Sequence, residues 1–413
     1  MKKIFSSSST MLIFIAITLF YAFESIQMAY YNVLAPAYLS AGYYQQSEVA
    51  AISAAYFYGT MAGLFPMGYL LDHFSLRKII LIGLIGSVFG VLLLSMSHQF
   101  STQWTARFIC GFFGGTTCFL GGIRIIALVY PKRFSYFMGV FLSAGMFGGM
   151  ICQYPLLFAV KYFGLEGAIR TVLGLSLLAL IFNFLFLRPS EEMSHEPKDN
   201  ENKLPFFKAL KIIALNSRNW CDVLMVSLLD TPVSIIGTLW GIVFFTSFFH
   251  FSETTSSFIV MALFLGLMIG LPVIGHLADK KKNPPSIIFI GALLSLLIVL
   301  AVTMLQASQP LWLLIILFFG LGFSSSCQTM GFTWITQGFR KELIGRNSAF
   351  NSMIFMGTNG AFKQLGAFLL VTPSLFIGSG STSNLMLILS VSMFIAMTYA
   401  CVRNKIFKVQ LQS

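Results

Sequence analysis

The chain has 413 residues, 57% of them hydrophobic and only 10% charged. A soluble domain carries about 25% charged residues, so bulk composition places this chain in lipid and sets aside a soluble enzyme. The net charge of +12 sits in short clusters between apolar runs, which reads as a topology signal and not as a nucleic-acid-binding face.

A spanning helix needs roughly 20 mostly apolar residues. The apolar runs predict twelve: spans one to six at about 11–34, 48–70, 77–97, 104–128, 135–157 and 169–187, and spans seven to twelve at about 219–247, 255–276, 286–306, 310–334, 347–370 and 384–402. The first run follows Lys2 and Lys3 as a signal peptide would, but it continues past Glu24 to about Leu34 and is read as the first span. The one long polar segment, 188–218, is expected to be a linker between an N-terminal half, 1–187, and a C-terminal half, 219–413; its stretch around Phe206 to Ile213 is a basic amphipathic helix suited to a membrane surface. The fold class expected is an all-α polytopic membrane protein with twelve transmembrane helices in two pseudo-symmetric six-helix halves.

Orientation follows from the short loops. Lys2/Lys3, Arg77/Lys78, Lys132/Arg133, the linker, Lys280–Lys282, Arg340/Lys341/Arg346 and Arg403/Lys405/Lys408 hold 21 of the 26 basic residues, all on one side if the number of spans is even. The other side has Lys161 and, at its border, Arg107 and Arg170. The positive side is cytoplasmic, so both termini are expected there.

The loops after spans two and eight repeat one pattern. Gly68-Tyr-Leu-Leu-Asp72 runs into Arg77 and Lys78, and Gly275-His-Leu-Ala-Asp279 runs into Lys280. Two copies at symmetric places fit a transporter built from related halves. On these residues, and on Arg107 with Gly111 as an RxxxG element, the chain resembles the major facilitator superfamily over essentially its whole length. The resemblance implies that Gly68, Asp72, Arg77, Lys78, Gly275 and Asp279 form a cytoplasmic gate, with the carboxylate at a helix N-terminus. Ser75 and His73 depart from the family pattern, which has Gly and a basic residue there. Shorter matches at Ser53–Tyr58, Tyr130–Phe134, Leu239–Gly241, Ser324–Gln328 and Phe350-Asn351 resemble a bacterial branch of siderophore importers, phagosomal amino-acid and nucleoside transporters, and relatives of a lysosomal dipeptide transporter.

Ionisable groups inside spans are costly and are functional candidates. Glu24 and Asp230 lie near the middle of spans one and seven, counterparts in the two halves, and a carboxylate in a low-dielectric cavity can load a proton, so both are candidates for coupling; either could instead be paired to a cation for packing alone. Asp222 is placed at the interface. Arg124 and Lys363 are candidate ligands for a substrate carboxylate, although Arg124 could snorkel to the interface and Lys363 could pair with Asp230. Tyr30, Tyr31 and Asn32, Gln153, Gln328, Asn351, Asn359 and Gln364 are expected to face a central cavity, because an unpartnered amide in lipid is expensive; interhelical bonding is the alternative. Trp240 and Trp334 either line the path or simply pack. The glycines of span five suit close helix approach, but the Gly-Pro pair of drug/proton antiporters is absent. The six cysteines lack CxxC spacing and predict packing residues, not a metal site.

No hydrolase, kinase or nucleotide-binding motif is present. The expected function is secondary active transport of a small organic solute (an amino acid, peptide, nucleoside or siderophore) across the inner membrane by a monomer. It is not an enzyme, has no cofactor, and has the lipid bilayer, the solute and protons as its partners. Uptake with protons is the first reading and efflux by proton antiport the alternative.

Overall fold

The computed structural model describes residues 7–187, 206–281, 284–305, 309–336, 343–371 and 383–412. The acidic part of the linker, 188–205, and the basic pair Arg340/Lys341 lie outside the described residues.

The first set of helices is α1 (Ser7–Ala29), α2 (Tyr31–Ser40), α3 (Gln46–His73), α4 (Leu76–Met96), α5 (Phe100–Cys110), α6 (Thr116–Val129), α7 (Phe134–Ile151) and α8 (Tyr154–Phe186). The short amphipathic α9 (Phe206–Ala214) leads to the second set, α10 (Ser217–Leu229), α11 (Gly241–Phe248), α12 (Glu253–Lys281), α13 (Pro284–Thr303), α14 (Leu311–Ser325), α15 (Gln328–Thr336), α16 (Ile344–Val371) and α17 (Ser383–Gln412). Among the described residues, nine helical stretches are long and apolar enough to cross a membrane, and the bent pair of α10 with the helix following it makes a tenth.

One of the nine, Tyr136–Phe186, has 51 residues. At 1.5 Å per residue it would reach about 75 Å, more than twice the roughly 30 Å of hydrocarbon available. It is broken at Gly164, whose φ of 71° and ψ of 179° leave the helical region and suit a residue without a Cβ. α16 is 28 residues long but too polar to count by hydropathy. With that division and with α16 included, the helices fit twelve crossings.

Several spans are discontinuous. The first continues past the expected end at Leu34 to Ser40, with a break at Tyr30 between α1 and α2. The fourth changes to a wider π pitch over Gly111–Gly115, and the seventh does so over Pro232–Trp240, beginning at a proline that cannot donate to a preceding turn. The break between α7 and α8 at Cys152-Gln153 precedes Pro155 in the same way.

The two sets meet along two long seams, α3 against α16 and α7 against α12, and the outer parts of α2 and α11 close on each other. Glycines permit the approach. A Cβ on Gly148 would lie 2.1 Å from the Ala22 carbonyl oxygen of α1, and one on Gly149 would lie 2.6 Å from the Phe264 ring of α12. The backbone at Ala22 cannot yield as a side chain can. We therefore expect Gly148→Leu to destabilise the protein by about 1–3 kcal/mol or more, read as a lower melting temperature in detergent. Four of the six cysteines are buried and all are unpaired, as packing residues would be.

Candidate functional site

Glu24 is 1% exposed, inside the first set of helices. Its Oε1 accepts from the Ser87 hydroxyl of α4 at 2.5 Å and its Oε2 from the Tyr56 hydroxyl of α3 at 3.0 Å. Asp230, at the end of α10, is 7% exposed and accepts from the Asn359 amide of α16 at 2.9 Å; Gln328 stands beside it. Glu24 and Asp230, one in each set, are therefore buried carboxylates met by neutral donors. Among the described residues neither makes an ion pair.

The cations lie elsewhere. Arg107 was expected at the border of the bundle, but α5 begins at Phe100, which puts Arg107 about 10 Å along the helix, and it is fully buried. Its guanidinium faces the rings of Tyr30, Tyr31 and Tyr56 at 4.8, 5.1 and 4.8 Å. One Nη donates to Gln27 at 3.3 Å, while Nε and Nη2 make no hydrogen bond of good geometry. Lys363 does not pair with Asp230. It too is fully buried, and its Nζ crosses from α16 to the Ser53 hydroxyl of α3 at 2.8 Å, lying 4.3 Å from the centre of the Phe57 ring. Tyr56 and Phe57 are successive residues with ring centres 5.7 Å apart, so a single turn of α3 supplies an aromatic face to both cations.

Polar side chains also join the sets at the end of the bundle opposite the termini. The Asn32 amide donates to Gln153 Oε1 at 2.6 Å, and Asn32 Oδ1 accepts from the Ile242 N–H at 3.2 Å. Gln153 in turn donates to the Gly237 carbonyl at 3.4 Å. Tyr31 donates to Gln103 at 3.0 Å, and the Trp240 ring N–H donates to the Lys363 carbonyl at 3.1 Å, fixing the backbone that carries the lysine.

Other expected ligands stand apart from this centre. Arg124 lies 17 residues beyond Arg107, about 25 Å if helical throughout, and donates to the Leu71 carbonyl at the end of α3. Asn351 is three turns before Lys363 and ties α16 to Asn219 of α10 at 3.2 Å. Gln364 is exposed; it follows Lys363 by one residue, so it points about 100° away around the helix. Asp222, in the second turn of α10, is buried within the protein. It is 2% exposed and is held by Arg403 at 3.3 Å, Arg218 at 3.5 Å and the Tyr399 hydroxyl at 2.7 Å.

Of the gate residues, Arg77 donates to the Phe184 carbonyl at 3.1 Å and Lys78 is exposed. A Cβ on Gly68 or Gly275 would meet nothing within 4 Å, so close approach does not require glycine there. The side chains of Asp72 and Asp279 lie outside the described residues.

A family model of the Major Facilitator Superfamily matches residues 13–362. The chain belongs to that superfamily. Solved structures agree in fold: a bacterial homolog to the human lysosomal transporter Spinster, in an inward-facing and unoccupied conformation, matches with a TM-score of 0.76 at 14% identity over 97% of this chain and 98% of that one. A mutant of the nucleoside transporter NupG matches with a TM-score of 0.72 at 12% identity over 94% of this chain and 98% of that one. The Fujikurins efflux protein of Gibberella fujikuroi is 25% identical over 150 residues, 36% of this chain. The match spans 32% of that protein's own length, about a third. This superfamily member is thus a multi-pass membrane protein of transporter fold, with a small-molecule solute and lipid as its surroundings.

Proposed function

We propose that the chain is a secondary active transporter that takes up a small organic solute together with protons, by alternating access around the centre between its two sets of helices. The observation that carries this reading is the pair of buried carboxylates, Glu24 and Asp230, each met by neutral donors in equivalent spans. A carboxylate so placed can exist with or without its proton, and a change of exposure between conformations links protonation to movement. Arg107 and Lys363 are the groups of that centre nearest a translocated solute, and Asn32 and Gln153 tie the two sets beyond it. The basic loops support a cytoplasmic position for both termini; the proposed setting is a cell inner membrane and the proposed working unit a monomer. The short sequence matches favour an amino acid, peptide, nucleoside or siderophore as cargo.

The test is uptake into proteoliposomes carrying an imposed proton gradient. Labelled solute should accumulate above equilibrium, and a protonophore should abolish the accumulation. Glu24→Gln and Asp230→Asn should each stop accumulation at equilibrium while leaving exchange of labelled for unlabelled solute intact. Accumulation that ignores both the protonophore and the two substitutions would remove the coupling assignment. Efflux is the second reading, favoured by the partial match to an efflux protein. A deletion strain that retains the solute inside, instead of failing to take it up, would decide for it.

A further inference from the structure

Burying a charge without a counter-charge is costly, and proteins normally pair it or leave it hydrated. The centre of this bundle has two buried basic side chains that form no ion pair among the described residues. Arg107 reaches it from α5 and Lys363 from α16, so the two sets of helices contribute one each, and both are fully buried. Aromatic faces around them compensate partly. Of the two carboxylates only Glu24 stands near enough to attract Arg107, with Tyr56 between them, and both its oxygens are bonded to Ser87 and Tyr56; Asp230 is bonded to Asn359. Two guanidinium nitrogens of Arg107, Nε and Nη2, are buried and make no hydrogen bond of good geometry, with the Tyr30 hydroxyl standing beside the guanidinium.

From this arrangement we infer that Arg107 and Lys363 together bind an anionic group of the transported solute, so that the cargo is a small organic anion of carboxylate type. The unsatisfied Nε and Nη2 of Arg107 offer two donors in one plane, the geometry that suits the two oxygens of a carboxylate. Lys363 reaches the same group on exchanging its Ser53 hydroxyl for a charged acceptor. The body of the solute lies against Tyr30, Tyr31, Tyr56 and Phe57. Because the cations come from opposite sets and carry the same sign of charge, the anion is also what allows both sets to close on the centre. The inference rests on the reading of the chain as a solute carrier and adds the charge of its cargo.

The experiment compares the melting temperature of the purified protein in succinate, glutamate, pyruvate and nicotinate, in the corresponding amides, and in chloride and inorganic phosphate. We expect at least one carboxylate to raise it and the matching amide to leave it unchanged. Arg107→Gln and Lys363→Gln should each weaken that carboxylate at least about tenfold, which is about 1.4 kcal/mol; Arg107→Lys should retain part of the effect. The acid–amide comparison needs no variant, so it stands even where a substitution impairs folding. Equal effects of acid and amide, no effect of any carboxylate, or an effect of chloride or phosphate alone would each overturn the inference. Proteoliposome uptake separates the two levels. A neutral or cationic solute carried as well by Arg107→Gln and Lys363→Gln as by the parent protein overturns the anion site and leaves the carrier. A preparation that moves no solute of any charge overturns both.

Discussion

Gly114→Ala should abolish gradient-driven accumulation while leaving a folded protein. Gly114 lies in the π segment of the fourth span, directly against the coupling candidate of the first. An added Cβ would sit 2.1 Å from Glu24 Oε1, 2.5 Å from its carboxyl carbon and 2.7 Å from Ser87 Cβ. Those separations are impossible, and the most movable neighbour is the carboxylate itself. It must swing away from both the Ser87 and the Tyr56 hydroxyls, and each lost hydrogen bond to a charged group costs about 1.5–3 kcal/mol. The methyl group thereby misplaces the carboxylate without changing any ionisable residue. Ser87→Ala and Tyr56→Phe remove one donor each without a clash and should give smaller defects of the same kind. The measurement is the steady-state ratio of labelled solute across proteoliposomes under a proton gradient, beside a size-exclusion profile for each variant. Parental accumulation in Gly114→Ala would show that the position of Glu24 does not matter to coupling.

The sequence made the spans and their acids legible, but not depth or rotation within a span. Glu24 and Asp230 stand out because a carboxylate in an apolar run is rare, and rarity needs no structure to be seen. An apolar run that begins near Trp104 makes Arg107 look like a border residue. The helix begins at Phe100, and the extra turn turns an interfacial charge into a buried one. A helical-face reading would have found it. Gln103, Arg107, Gly111 and Gly115 recur every four residues, and Gln103 and Arg107 meet the side chains of Tyr31 and Gln27. Gln364 differs from Lys363 by rotation alone, since one residue along α16 carries it to an exposed face. Arg124 and Asn351 have the chemistry of a binding residue but stand several turns from Arg107 and Lys363, since hydropathy does not mark the midplane of a span. The breaks at Tyr30 and Gly164 were also hidden, because an apolar run reads the same whether its helix is continuous or broken.

Asn32→Ala should open the end of the bundle opposite the termini. There the two sets are tied by a short polar chain, with Asn32 of α2 donating to Gln153, accepting from the Ile242 N–H, and Gln153 reaching the Gly237 carbonyl. All of these atoms are in a dry interior, as Asn32 and Gln153 are fully buried. Alanine removes both bonds of Asn32 and leaves two polar groups stranded, at about 1–3 kcal/mol for each unsatisfied one. The closed arrangement alone bears that cost, because when the sets separate the same groups meet water. A ligand-free equilibrium between closed and open forms should then shift by roughly tenfold or more, since about 1.4 kcal/mol is a factor of ten. Spin labels on cysteines introduced at Ser40 and Ser247, exposed residues near the ends of α2 and α11, report this directly. The background should have Cys221 and Cys401, the two cysteines that are not buried, replaced by serine. The parent should give one short distance population and Asn32→Ala a second, longer one, with Gln153→Ala behaving alike because it breaks the same chain. An unchanged distribution in both variants would mean that the apolar seam, not this polar chain, keeps that end shut.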